Sequence, residues 1–79
     1  MGFRDWLEKR RVKKEAKRAL SIAEGDVQSG HYNGAITTVD NIINELGRVG
    51  IKEGEIYNTA VQRANYYREQ RQKLRKKTA

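Results

Sequence analysis

A chain of 79 residues with 17 Lys and Arg, 10 Asp and Glu and a net charge of +7 makes one domain at most, and a domain of this size buries only about 60% of the surface its unfolded chain exposes. With no cysteine and one histidine there is no disulfide framework, no thiolate nucleophile and no Cys-based zinc site, so neither a metal nor a cofactor is expected. The longest apolar runs are two or three residues against the roughly 20 of a membrane span, and the N-terminus lacks the apolar core of a signal peptide, which leads us to expect a cytoplasmic protein.

Proline is absent, and apart from Gly2 the glycines fall at positions 25 to 34 and 47 to 54. They punctuate the chain into three segments of helical length. In the first, Val12, Ala16, Ala19, Leu20, Ala23 and Val27 recur at steps of three and four and form one inward stripe. Its N-terminal end carries Phe3, Trp6 and Leu7 on a shared face, a candidate contact with a membrane or a second subunit. In the second, Tyr32, Ala35, Ile36, Val39, Ile42, Ile43 and Leu46 match the i, i+3, i+4, i+7 template, with Asn33 as the expected N-cap and Gly47 as the expected left-handed C-cap. Asn33-Gly34 is also the dipeptide of a tight β-hairpin, but the helical period continues unbroken to Leu46 while strand alternation fails at once. The third carries Ile56, Tyr57, Ala60, Val61, Ala64, Tyr67 and Leu74 before dissolving into charge, so its last turns are expected to be exposed.

The expected fold is all-α, a three-helix up-down-up bundle with a long first helix and a basic C-terminal helix end. We read residues 1–15 as a basic amphipathic extension, 16–74 as the three-helix core and 75–79 as a basic tail. A first helix from about Gly2 to Ser29 would be roughly 40 Å long and a second of about 14 residues roughly 21 Å. The second then covers the C-terminal half of the first, and the basic ends of the molecule project in opposite directions.

Charge follows the same division. Residues 1–18 hold eight basic and three acidic groups, residues 19–62 two basic and six acidic, and residues 63–79 seven basic and one acidic. The basic groups Arg4, Lys9, Arg10, Arg11, Lys13, Lys14, Lys17 and Arg18 at one end, and Arg63, Arg68, Arg71, Lys73, Arg75, Lys76 and Lys77 at the other, are candidate contacts for an anionic surface or for nucleic-acid phosphates. Glu8, Glu15 and Glu69 interrupt both runs, as they would on an ordinary solvated face. With no recognition-helix, zinc-finger or aromatic RNA-reading pattern, nucleic-acid binding would be directed at the backbone and weakly selective. The Tyr66-Tyr67 pair beside Arg63 and Arg68 offers a stacking platform for single strands, although Tyr67 reads more simply as core.

Catalytic patterns are missing: there is no P-loop, nucleophile elbow, HExxH or EF-hand loop. His31 reads as a solvent-facing turn residue, and Glu24 and Asp26 near it as an ordinary helix end rather than a metal site. Met-Gly at the start lacks the Ser or Thr of a myristoylation signal, because Trp6 occupies that position. A non-enzymatic protein is expected.

The pattern Gly30-x-Tyr32-x-x-Ala35-Ile36-x-x-Val39-x-x-Ile42-Ile43-x-x-Leu46 resembles the helix junction of a tetratricopeptide repeat. It is similar, more closely, to the microtubule-interacting-and-transport (MIT) domain, with Ala23 at that domain's small residue in its first helix, Tyr32 and Ala35 on its Tyr-x-x-Ala, and Arg63-Ala64 on its Arg-Ala pair. The match covers roughly residues 16–74, with Val39 where the family usually has an aromatic. The resemblance implies a bundle whose interhelical groove holds a partner's short helix, against Ala60, Ala64 and Tyr67. The function expected from all of this is a small basic interaction module that docks a protein partner and rests its basic arms on an anionic surface. The alternatives are a nucleic-acid-binding accessory protein and a peripheral membrane adaptor, with a homodimer as one way to bring the basic ends together.

Overall fold

A computed structural model describes residues 2–78, with side chains described from 4 to 76. Three helices account for nearly all of it: α1 (Gly2–Gln28), α2 (Tyr32–Arg48) and α3 (Glu55–Thr78). Asn33-Gly34 lies inside α2, so the hairpin alternative does not form.

The junctions explain why the chain breaks where it does. At the end of α1, Gly30 takes φ +84°, its amide donates to the Val27 carbonyl and the His31 amide to that of Asp26. This crossed pair of bonds closes a helix on a left-handed glycine. The same pattern ends α2, where Gly50 has φ +84°, its amide donates to Gly47 and the Ile51 amide to Leu46. Ile51 and Leu46, both buried, supply the apolar contact that accompanies such a cap. The expected C-cap at Gly47 is therefore corrected to Gly50, because α2 continues one further turn and carries Arg48 to Glu8 of α1. Asn33 is not the N-cap either. The chain re-enters a helix directly from the α1 cap, leaving His31 as N-cap with no side-chain capping bond, while the Asn33 Oδ1 accepts from Arg71 Nη1 at 2.9 Å.

α2 is the central element. α1 and α3 each pack along it, and they meet each other over only a short stretch, where Lys17, Leu20 and Glu24 face Ile56, Thr59 and Arg63. The core takes Val12, Ala16, Leu20 and Ala23 from α1, Ala35, Ile36, Val39, Ile42 and Leu46 from α2, Ile51 from the loop, and Ala60, Ala64 and Tyr67 from α3. Five of these thirteen are alanines. They let the helices approach closely but remove little apolar area from water, so the stabilisation concentrates on the branched side chains of α2. Ile43, expected in the core, is only half-buried against it, and Leu74, expected on the inward stripe of α3, is 47% exposed because α3 has by then run past the end of α2.

Each pair of helices is joined by an ion pair on the surface: Arg48–Glu8 at 3.2 Å between α2 and α1, Arg63–Glu24 between α3 and α1, and Arg68–Asp40 between α3 and α2. Exposed pairs of this kind contribute about 1 kcal/mol or less each, but together they fix the register of the three helices. α3 runs parallel to α1 and is displaced along it, which stretches the molecule to 54 × 19 × 16 Å. The overhang of α1 is shorter than expected. At 17 residues α2 reaches Glu8, so the packed region begins near Glu8 and Val12, and only the first two turns of α1 project. The last two turns of α3 project from the opposite end.

Candidate anion-binding face

The cations of α1 fall into a geometric order that their sequence conceals. Leu7, Arg10, Lys14, Lys17, Arg18 and Ser21 follow one another at steps that place them on the stripe opposite Val12, Ala16, Ala19 and Ala23. All six are exposed, Lys17 at the edge of the stripe beside the contact with α3, while Val12, Ala16 and Ala23 are buried. Arg11 and Lys13 flank this stripe and are exposed as well. The acids that interrupt the run are turned away from it. Glu8 accepts from Arg48, and Glu15 lines the seam between α1 and α2 together with Glu45. Asp5 stands a heptad before Val12 and so lies on the inward side of the projecting turns. The outward face from Arg10 to Arg18 is thus uniformly basic over about 12 Å.

At the projecting end, Trp6 is 54% and Leu7 43% exposed, and the Arg10 guanidinium stands over the Trp6 ring, 5.5 Å from its centroid. This distance is within the range of a cation–π contact. Arg4, Leu7, Glu8 and Arg11 surround a shallow hollow beside them, and Lys9 is exposed on the other flank. The Phe3 side chain lies outside the described residues.

The other cation group is organised differently. Arg63 and Arg68 are engaged with Glu24 and Asp40, Arg71 donates to Asn33, and Lys73 stands 3.9 Å from Glu69. The three arginines hold α3 in place while Lys73 pairs within it, so the exposed cations of the C-terminal end are Lys73, Arg75 and Lys76 with their neighbours on the overhang. Lys77 lies outside the described side chains. The guanidinium of Arg63 is held above its ordinary value, first by the Tyr67 hydroxyl beside it and then, against the cost of partial burial, by the Glu24 carboxylate. The Tyr67 hydroxyl is itself buried and has no hydrogen-bond partner of normal geometry among the described residues. The carboxyl of Glu45 is held below its ordinary 4.5, first by the hydrogen bonds it accepts from Arg48 and then by that residue's charge.

The groove expected along Ala60, Ala64 and Tyr67 does not exist as an open site. These three residues are 0%, 1% and 3% exposed because they form the seam of α3 with the rest of the core. The stacking platform expected from the tyrosine pair is likewise reduced to Tyr66, 55% exposed and edge-on to the buried Tyr67. A shallow surface groove runs instead along the side of α1 and α2 away from α3. Val12, Ala16 and Ile42 beneath it are themselves buried, Ala19 is half-buried, and Glu15, Thr38, Asn41 and Glu45 form its polar part. Sequence reasoning missed it because its lining belongs to the same periodic stripes as the core.

Among the described residues no group of three or more His, Cys, Asp or Glu side chains is placed to hold a metal ion, and no helix is long and apolar enough to cross a membrane. No family model, curated protein or solved structure matches this chain.

Proposed function

We propose that the chain is a non-enzymatic helical interaction module that sets the outward face of α1 against an anionic surface. The observation that carries this reading is the sorting of charge on α1. Arg10, Lys14, Lys17 and Arg18 lie outward and exposed, while Glu8 is paired with Arg48 of α2 and Glu15 stands at the rim of the α1–α2 groove. A solvated helix face with no partner gains nothing from such sorting, since interspersed acids would relieve the repulsion between neighbouring cations. Nucleic-acid phosphates are the alternative anionic partner for the same side chains, bound through the backbone and without sequence preference.

Binding should therefore weaken steeply with salt and be lost when Arg10, Lys14, Lys17 and Arg18 are all changed to Ser. The melting temperature should change little, because none of the four contributes to the core. Binding is measured against random-sequence duplex DNA and against vesicles containing anionic lipid. If the quadruple variant bound as well as the parent chain to whichever surface the parent binds, the reading would fail.

A protein partner is the second reading, and the shallow α1–α2 groove favours it. Its half-buried Ala19 and its exposed acidic Glu15 and Glu45 suit a short helix with basic flanks. Kinship with the MIT or tetratricopeptide families belongs to this reading and rests on Tyr32, Ala35 and the Arg63-Ala64 pair.

A further inference from the structure

Resting on the reading of the α1 outward face as the binding face, we infer that its anionic partner is a lipid bilayer, with Trp6 and Leu7 as the inserting tip and Arg10, Lys14, Lys17 and Arg18 lying on the head groups. The first two turns of α1 project beyond α2, whose last residue, Arg48, meets Glu8. On these turns Trp6 and Leu7 are exposed at 54% and 43%, and the cations follow directly along the same face. Cations alone would serve a phosphate backbone equally well. Leu7 separates the two partners, since a duplex backbone offers it nothing apolar and the acyl boundary of a bilayer does.

The indole suits that boundary too. An amphipathic ring with a guanidinium on its face, as Arg10 stands over Trp6, has an apolar body for the interface and a charge for the head groups. The acids agree with the assignment. Asp5 lies on the side of the helix that continues into Val12, and Glu8, which shares a hollow with Leu7, is paired with Arg48. Leu7 to Arg18 lie in one uninterrupted helix, and each cation near an anionic leaflet adds to binding until salt screens it.

The test uses the full chain with phosphatidylcholine vesicles, pure or mixed with phosphatidylglycerol. Trp6 is the one tryptophan, so its emission reports insertion directly. The chain should co-sediment with the mixed vesicles only, with a blue shift of Trp6 emission. Leu7→Ser should lower the partition coefficient about tenfold with helicity and melting unchanged, and each cation of the α1 face changed to Ser should lower it about fivefold at low salt. Co-sedimentation without a blue shift, or a Leu7→Ser variant that partitions like the parent, would overturn the insertion. Binding to random-sequence duplex or single-stranded DNA with none to the mixed vesicles would overturn the bilayer as partner and leave the α1 face standing. Failure on both surfaces would overturn the inference and the proposed face together.

Discussion

Gly47 and Gly50, three residues apart at the end of α2, carry opposite expectations on substitution. Gly47 lies within the helix, a Cβ built on it meets nothing within 4 Å, and Gly47→Ala should stabilise by about 0.5–1 kcal/mol through helix propensity. Gly50 holds φ +84°, and Gly50→Ala should cost about 1–2 kcal/mol. Chemical denaturation of the two variants measures both. If the signs came out reversed, α2 would end at Gly47, the position its apolar pattern suggests. That pattern stops at Leu46, and it misleads because the last turn is held by contacts outside it: Arg48 with Glu8, and Ile51 folding back over Leu46. Tyr67 offers a second residue-scale test. Its hydroxyl is buried beside Arg63 with no hydrogen-bond partner among the described residues, so Tyr67→Phe should change stability by no more than about 1 kcal/mol. A loss above about 1 kcal/mol would show that the hydroxyl does hydrogen-bond in the folded protein.

Among the elements, α2 carries most of the stability, and its faces can be ranked. Leu46 is fully buried and Ile43 half-buried, so Leu46→Ala should cost about 3–5 kcal/mol and Ile43→Ala about 1–2 kcal/mol. A chain of this length has roughly 4–12 kcal/mol in total, so the first substitution brings it close to unfolding and the second does not. Equal losses in thermal or chemical melts would mean that α2 is rotated from the orientation described. The three helices, the glycine junctions and most of the core stripe were legible because 3.6-residue periodicity is a local property. Which side of those stripes borders a surface groove was not legible, because Val12, Ala16, Ala19 and Ile42 have the same spacing whether or not α3 lies over them.

The C-terminal end of α2 also has a pH signature. Glu45 has a folded-state pKa below its ordinary value, so its contribution is present above that ordinary value and fades as pH falls through the lowered one. The effect is confined to the acid side of about pH 4.5 and is weakened by salt, since the pair with Arg48 is exposed. Arg48→Gln should remove this part of the acid dependence. An unchanged acid-unfolding midpoint in that variant would show that the pair does not form in solution.

At the scale of the whole molecule, the sequence separates two basic ends and an acidic middle, and the fold gives the two ends different tasks. The cations of α3 up to Lys73 reach Glu24, Asp40, Asn33 and Glu69, whereas those of α1 from Arg10 to Arg18 look outward. Composition does not reveal that asymmetry, because it depends on which acids fall opposite which cations once α3 is displaced along α1. The two overhangs stand at opposite ends of a body 54 Å long, several times the roughly 8 Å screening length. Their contributions to binding should therefore be independent in a monomer.

The most direct measurement compares two charge-removal sets, Arg10, Lys14, Lys17 and Arg18 to Ser and Lys73, Arg75 and Lys76 to Ser, alone and combined, as binding to anionic vesicles and to random-sequence duplex DNA over a range of salt. If the α1 face is the binding face, the first set abolishes salt-sensitive binding, the second leaves it within about threefold, and the combined variant resembles the first. A second set as damaging as the first, or a first set without effect, would contradict the account.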